Sequence, residues 1–268
     1  MSTHSPNPSS SPFQPVKGKI IKVIGFVMVV VATIYLWGEH KTMRVDNFVI
    51  VMGAIIVGAL LIQAGKRYAV PDARELLKTD KRPPILFLRS FGDESRDRKL
   101  GKFLKGSLID QGLTESTAGW GPREQEELAR LMFEIGPYIA VGRPGEPLPE
   151  LGPARLYIPN EKWKDEVGAL LGRARFVIVR VGQGDGLGWE LNQLAARLRP
   201  EQVLFILPAS KAEYAQLREG VNRNWPQPLP ESRPAGRLLM FTTGWRPVPI
   251  KTGRTLNESM EPFLRLNG

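Results

Sequence analysis

The sequence predicts an α/β fold, a doubly wound five-stranded parallel sheet, preceded by a two-helix transmembrane hairpin. Two observations near the N-terminus and one beyond it carry this. Residues 20–37, with Lys22 as the only charge, and residues 48–65, with none, are apolar runs each long enough to cross a bilayer. Downstream, short β-branched runs alternate with stretches of helical period. Strand, helix, strand in repetition implies crossover connections and a parallel sheet.

Taken in order, residues 1–18 form a Ser-, Pro- and Asn-rich tail that cannot bury enough apolar surface to order itself. Residues 19–65 hold the two spans. No small-residue cleavage pattern follows Trp37, and a second span comes soon after, which argues against a cleaved signal peptide. Lys17, Lys19 and Lys22 mark the start of the first span, and Lys66, Arg67, Arg74, Lys78, Lys81 and Arg82 follow the second. The loop between them holds fewer cations. The positive-inside rule therefore predicts a multi-pass protein of the inner (plasma) membrane with both termini cytoplasmic and the lipid bilayer as a partner. Ala54 and Gly58 make a small-xxx-small pair, able to seat one span on the other or on another subunit, or simply facing lipid.

Residues 66–83 read as a linker helix, begun near Pro71 and stopped by Pro83-Pro84. The α/β domain is expected over 84–245. Residues 85–88 are its first strand, followed by the polar cluster Arg89-Ser90-Phe91-Gly92-Asp93-Glu94 and a long, poorly periodic stretch that reads as a lid or loop. Pro122 opens a helix with Leu128, Leu131, Met132 and Ile135 on one stripe, and residues 138–141 are the second strand. Residues 142–160 read as a fixed-shape Pro/Gly loop ending in an Asn160 cap. The next helix carries Trp163, Val167, Leu170, Leu171 and Ala174 toward the core.

Residues 176–181 form the third and most continuously apolar strand, running into a turn with Gly182, Gly184, Gly186 and Gly188. In the helix that follows, Leu187, Leu191, Leu194, Ala195 and Leu198 face the sheet. Glu190 falls in its first turn, where the helix dipole favours a carboxylate, and Trp189 points away from the stripe, as a contact residue would. Residues 203–207 are the fourth strand, Ser210 and Glu213 a capping box, and residues 238–242 the last strand, with 246–268 a basic C-terminal tail. Five such strands suggest the flavodoxin-like order 2-1-3-4-5. Ligands then bind over the carboxyl ends of the first and third strands, bringing residues 90–94 and 182–190 to one crevice.

Composition removes several classes of chemistry. There is no Cys, and both histidines, His4 and His40, lie outside the α/β region. Thiol chemistry, imidazole-based triads and the usual zinc sites are excluded there, leaving carboxylates for acid–base work and no metal expected. The net charge of +10 is spread over tail, membrane flanks and C-terminus rather than gathered in a reading element, so nucleic acid is not an expected partner.

These landmarks resemble the TIR domain over residues 84–209, and also a broader set of bacterial membrane-anchored proteins of largely uncharacterised function. The box Phe87-Leu88-Arg89-Ser90-Phe91-Gly92-Asp93-Glu94, the loop Gly142-Arg143-Pro144-Gly145-Glu146 and the step Trp189-Glu190-Leu191 follow the TIR order. The resemblance implies that Glu190 is the catalytic carboxylate of a domain that cleaves NAD at the nicotinamide–ribose bond, in signalling or defence. NAD is thus a candidate substrate, and no resident cofactor is expected. It also implies self-association into homo-oligomers. Arg89, Ser90, Asp93, Arg143, Gly182, Gly184, Gly186 and Trp189 are the accompanying ligand-binding candidates. Trp189 directly abuts Glu190, and the turn GQGDGLG has Leu187 where a dinucleotide fingerprint needs Gly.

Three readings stay open from the residues themselves. Glu190 is either catalytic or a compensating charge at a helix start. The domain is an NAD-processing enzyme, a non-catalytic interaction module, or a nucleotide sensor using the same crevice.

Overall fold

The computed structural model describes residues 14–38, 45–89, 122–142, 152–180, 187–223 and 225–268. Helices α1 (Pro15–Gly38) and α2 (Val45–Tyr68) are long and apolar enough to cross a membrane, and they pack side by side as an antiparallel pair. Among the described residues, every exposed large apolar side chain except Leu266 belongs to them. Their seam recurs every seven residues: Gly18, Gly25 and Ala32 are buried on α1, and Val51, Gly58 and Gly65 on α2. A Cβ at Gly25 would lie 2.5 Å from the Gly58 carbonyl oxygen, and one at Gly65 would lie 2.6 Å from that of Gly18. Only hydrogen fits, and the backbones close to a distance at which dispersion holds them without help from water. Gly58 takes this role with Gly65, while Ala54 lies half-buried beside the seam.

The expected linker helix is shorter than its stretch. α2 continues to Tyr68, and only α3 (Ala73–Thr79) follows, capped by the Asp72 carboxylate accepting from the Arg74 amide at 2.8 Å. Asp72 also bridges in parallel to Arg155, and the Arg155 amide donates to the Pro71 carbonyl at 3.1 Å. The connection thereby covers one edge of the sheet. Lys66 of α2 pairs with Glu126 at 3.1 Å, so the hairpin is tied to the α/β body at two places.

That body is a seven-stranded mixed sheet, which corrects the five-stranded parallel expectation. The strands are β1 (Ile85–Arg89), β2 (Tyr138–Gly142), β3 (Ala154–Tyr157), β4 (Phe176–Arg180), β5 (Val203–Ile206), β6 (Leu238–Thr242) and β7 (Arg246–Ile250), in spatial order β3-β2-β1-β4-β5-β6-β7. The first five in this order are parallel, whereas β6 and β7 run antiparallel. The five anticipated strands keep their neighbours, with β3 and β7 added outside them. β3 lies inside the expected Pro/Gly loop.

β6 reverses because its approach differs from the other crossovers. Helix α7 (Lys211–Asn222) returns the chain along the sheet, and the Pro-rich loop then climbs back to the end of β5 before β6 begins. That loop is pinned by Tyr214 Oη donating to the Pro230 carbonyl at 2.8 Å and Arg233 Nε donating to the Pro208 carbonyl at 2.8 Å. The Leu207 amide donates to the Arg237 carbonyl at 2.7 Å and fixes the antiparallel start.

The segment expected as a C-terminal tail is folded. Residues Thr243–Trp245 turn β6 into β7, with Gly244 and Trp245 at φ of 76° and 63°. Such mirror-type turns match strand twist, and Trp245 is held there against Trp225, ring centroids 4.5 Å apart. Pro247 and Pro249 blunt the outer edge. Helix α8 (Leu256–Leu266) starts from a Thr255 cap and buries Met260 and Phe263 completely.

Helices cover both faces. Against Leu86, Leu88, Val177, Val179 and Phe205 lie α3, α5 (Trp163–Leu171), α6 (Leu187–Arg197) and α7, and α5 begins with a single 3-10 turn, Asn160–Lys162. Against Ile85, Phe87, Phe176, Ile178 and Leu204 lie α4 (Pro122–Ile135) and α8, with Phe176 edge-on to Phe263 at 5.1 Å.

Candidate functional site

The winding of the chain reverses between β1 and β4, which are neighbours in full register from Ile85↔Phe176 to Arg89↔Arg180. In an open α/β sheet this is where a crevice opens over the carboxyl ends. Arg89 and Arg180 are the last residues of the two strands. Arg180 is a residue that pattern reading passed over, although a lone charge ending a strand of otherwise apolar residues, just before a glycine turn, is a legible signal.

Helix α6 starts beyond β4 and places Glu190 in its first turn. Its stripe of Leu191, Leu194 and Leu198 presses on the sheet, and the helix is seated deeply enough that Glu190 is itself only 4 % exposed. Its Oε2 is buried and has no hydrogen-bond partner among the described residues. Burial disfavours the charged form and pushes the carboxyl up to about 7. An acid in this state takes or gives a proton near neutrality. Once ionised, it strongly favours any positive charge that develops beside it.

Trp189 has a neighbour in the fold. It is half-buried against Trp163 of α5, centroids 4.8 Å apart, with the Lys164 ammonium 5.9 Å from its ring. The helix wheel places it off the stripe, but α5 is packed alongside α6 and supplies the cover. A neighbouring helix covers part of this aromatic.

Of the other candidates, Arg89 alone is among the described residues. Arg89 ends β1 with its backbone opposite Arg180. Ser90, Asp93, Arg143, Gly182, Gly184 and Gly186 lie outside the described residues. Arg180 shares the α4 side of the sheet, where with Phe87, Gln125 and Tyr138 it lines a cavity of about 10 Å³, room for a water molecule. Glu190 belongs to a helix on the opposite face, so Arg180 and Glu190 can meet a common ligand only over the crest of the sheet. A larger cleft of about 670 Å³ sits elsewhere, between α3, β3 and α5. Arg74, Lys78 and Arg173 mix there with Glu75 and Glu166, giving little net charge.

Compared with family models, with curated proteins and with solved structures, the chain has no match, so the chemistry of this crevice is argued from its own residues.

Proposed function

We propose that this chain is a multi-pass inner-membrane protein whose TIR-like α/β domain, with both termini, lies in the cytoplasm and cleaves NAD at the nicotinamide–ribose bond through Glu190. The observation that carries the reading is a buried carboxyl at the start of α6, its Oε2 without a hydrogen-bond partner among the described residues, beside the switch point of the sheet. When the ribose C1′–nitrogen bond breaks, its electron pair leaves with nicotinamide and positive charge spreads over the sugar. A desolvated carboxylate stabilises that charge without reorganising, and water then adds to the ribose carbon and loses a proton.

Full-length protein in nanodiscs, incubated with NAD at high protein density, is expected to release nicotinamide. Glu190→Gln is expected to slow release on the order of 100-fold. No release, or equal release from the variant, overturns the reading.

A second reading, a non-catalytic module that self-associates at the membrane, is favoured by a different observation. Glu190 is only 4 % exposed, and a ligand-sized cleft of about 670 Å³ lies away from it, between α3, β3 and α5. A domain that remains monomeric when crowded on a bilayer would remove that reading.

A further inference from the structure

We propose that the basic collar at one end of the hairpin, formed by Lys17, Lys19, Lys22, Lys66 and Arg67, binds anionic phospholipid headgroups in preference to zwitterionic ones; this rests on the hairpin spanning a membrane. The antiparallel seam sets Gly18 against Gly65, so the start of α1 and the end of α2 lie at one level and their cations form a single ring. The Gly65 position is also in close contact with the backbone of Lys22.

Two contacts to this ring are seen among the described residues. Lys66 pairs with Glu126, and the Lys17 ammonium lies 4.8 Å from the centre of the Tyr68 ring. Lys19 and Lys22 are exposed, stand at i and i+3, and have no carboxylate partner among the described residues. α1 has no acidic residue in its first turn, and Lys17 stands there at the positive end of the helix dipole, where a cation weakens the helix unless an anion joins it.

The apolar surface continues directly from the collar: Ile20, Val23 and Ile24 are exposed between and below the lysines. A ligand that meets both must carry an anionic head on an apolar tail. Lysine stems lie along the acyl region while their ammonium groups rise to the phosphate level. Each cation near an anionic leaflet adds attraction on the order of 1 kcal/mol, equivalent to about fivefold in occupancy.

The test reconstitutes full-length protein into nanodiscs of equal phosphatidylglycerol and phosphatidylcholine and counts retained lipids by native mass spectrometry. Wild type is expected to retain phosphatidylglycerol preferentially. Lys19→Gln with Lys22→Gln is expected to insert as before and lose roughly tenfold or more of that preference. Each single variant should lose part of it, which keeps the proposal testable if the double variant misfolds. Added inorganic phosphate should not displace the lipid. Equal retention of both lipids, an unaltered preference in the variants, or displacement by phosphate overturns the proposal. Failure of wild type to insert at all instead overturns the membrane reading beneath it.

Discussion

Replacing Glu190 by Gln keeps shape and volume while removing the ionisable group, so it measures what burying that group costs the fold. The carboxyl moves from an ordinary value of 4.5 in the unfolded chain to about 7 when folded, because desolvation penalises its charged form. At about 1.4 kcal/mol per tenfold change in proton affinity, the penalty at pH above both values is about 3 kcal/mol. The direction follows from proton counting. Below the unfolded value both states hold the proton and nothing is lost. Between 4.5 and about 7 the unfolded chain releases its proton while the folded one keeps it, so stability falls as pH rises, and it levels off above the folded value. Gln carries no such charge. The variant is therefore expected to gain about 2–3 kcal/mol over wild type near pH 8, and almost nothing near pH 4. Denaturant titration of the full chain in detergent, followed by tryptophan emission across that range, reads both arms. A variant whose stability tracks wild type at every pH, or which is weaker near pH 8, would refute the claim that burial penalises the charge on this carboxyl. Gain of stability with loss of nicotinamide release is the pattern of a group kept for function at the expense of the fold.

Three further outcomes are expected. Gly25→Leu should force α1 from α2, because the added side chain would begin 2.5 Å from the Gly58 carbonyl oxygen. As the native chain has no cysteine, a disulfide between cysteines placed at Ala32 and Val51 reports the seam cleanly and should vanish in that variant. Phe263→Ala should destabilise the α/β body by about 3–5 kcal/mol, since this ring is fully buried edge-on to Phe176; a loss below about 1 kcal/mol by denaturant titration would return α8 to the status of a tail. Trp189→Ala should expose Trp163, raising its quenching by iodide, whereas an unchanged quenching profile would show that the two rings do not cover each other.

Much of the architecture was legible because it is written locally. The apolar length of α1 and α2, the unbroken run of β4, the Ser210 cap and the stripes of α5 and α6 each depend on residues close together in the chain. α8 was legible too, though its signal was passed over: Thr255 caps Glu258, and Leu256, Met260, Phe263 and Leu264 fall on one stripe. β3 and β7 were not, for opposite reasons. β3 is short and carries Arg155, and β7 carries two prolines that argue against a strand except at an edge.

By itself the sequence determined the membrane-length hairpin, the α/β class, the placement of five strands and the position of Glu190 at a helix start, because each follows from period, length or capping. Tertiary structure alone decided that β6 runs antiparallel, that Trp189 is covered by Trp163, and that Arg180 and Glu190 belong to opposite faces of the sheet. It also decided that Glu190 is buried. Burial, and the proton affinity that follows from it, is a property of what packs around a residue, and no run of neighbours along the chain encodes it.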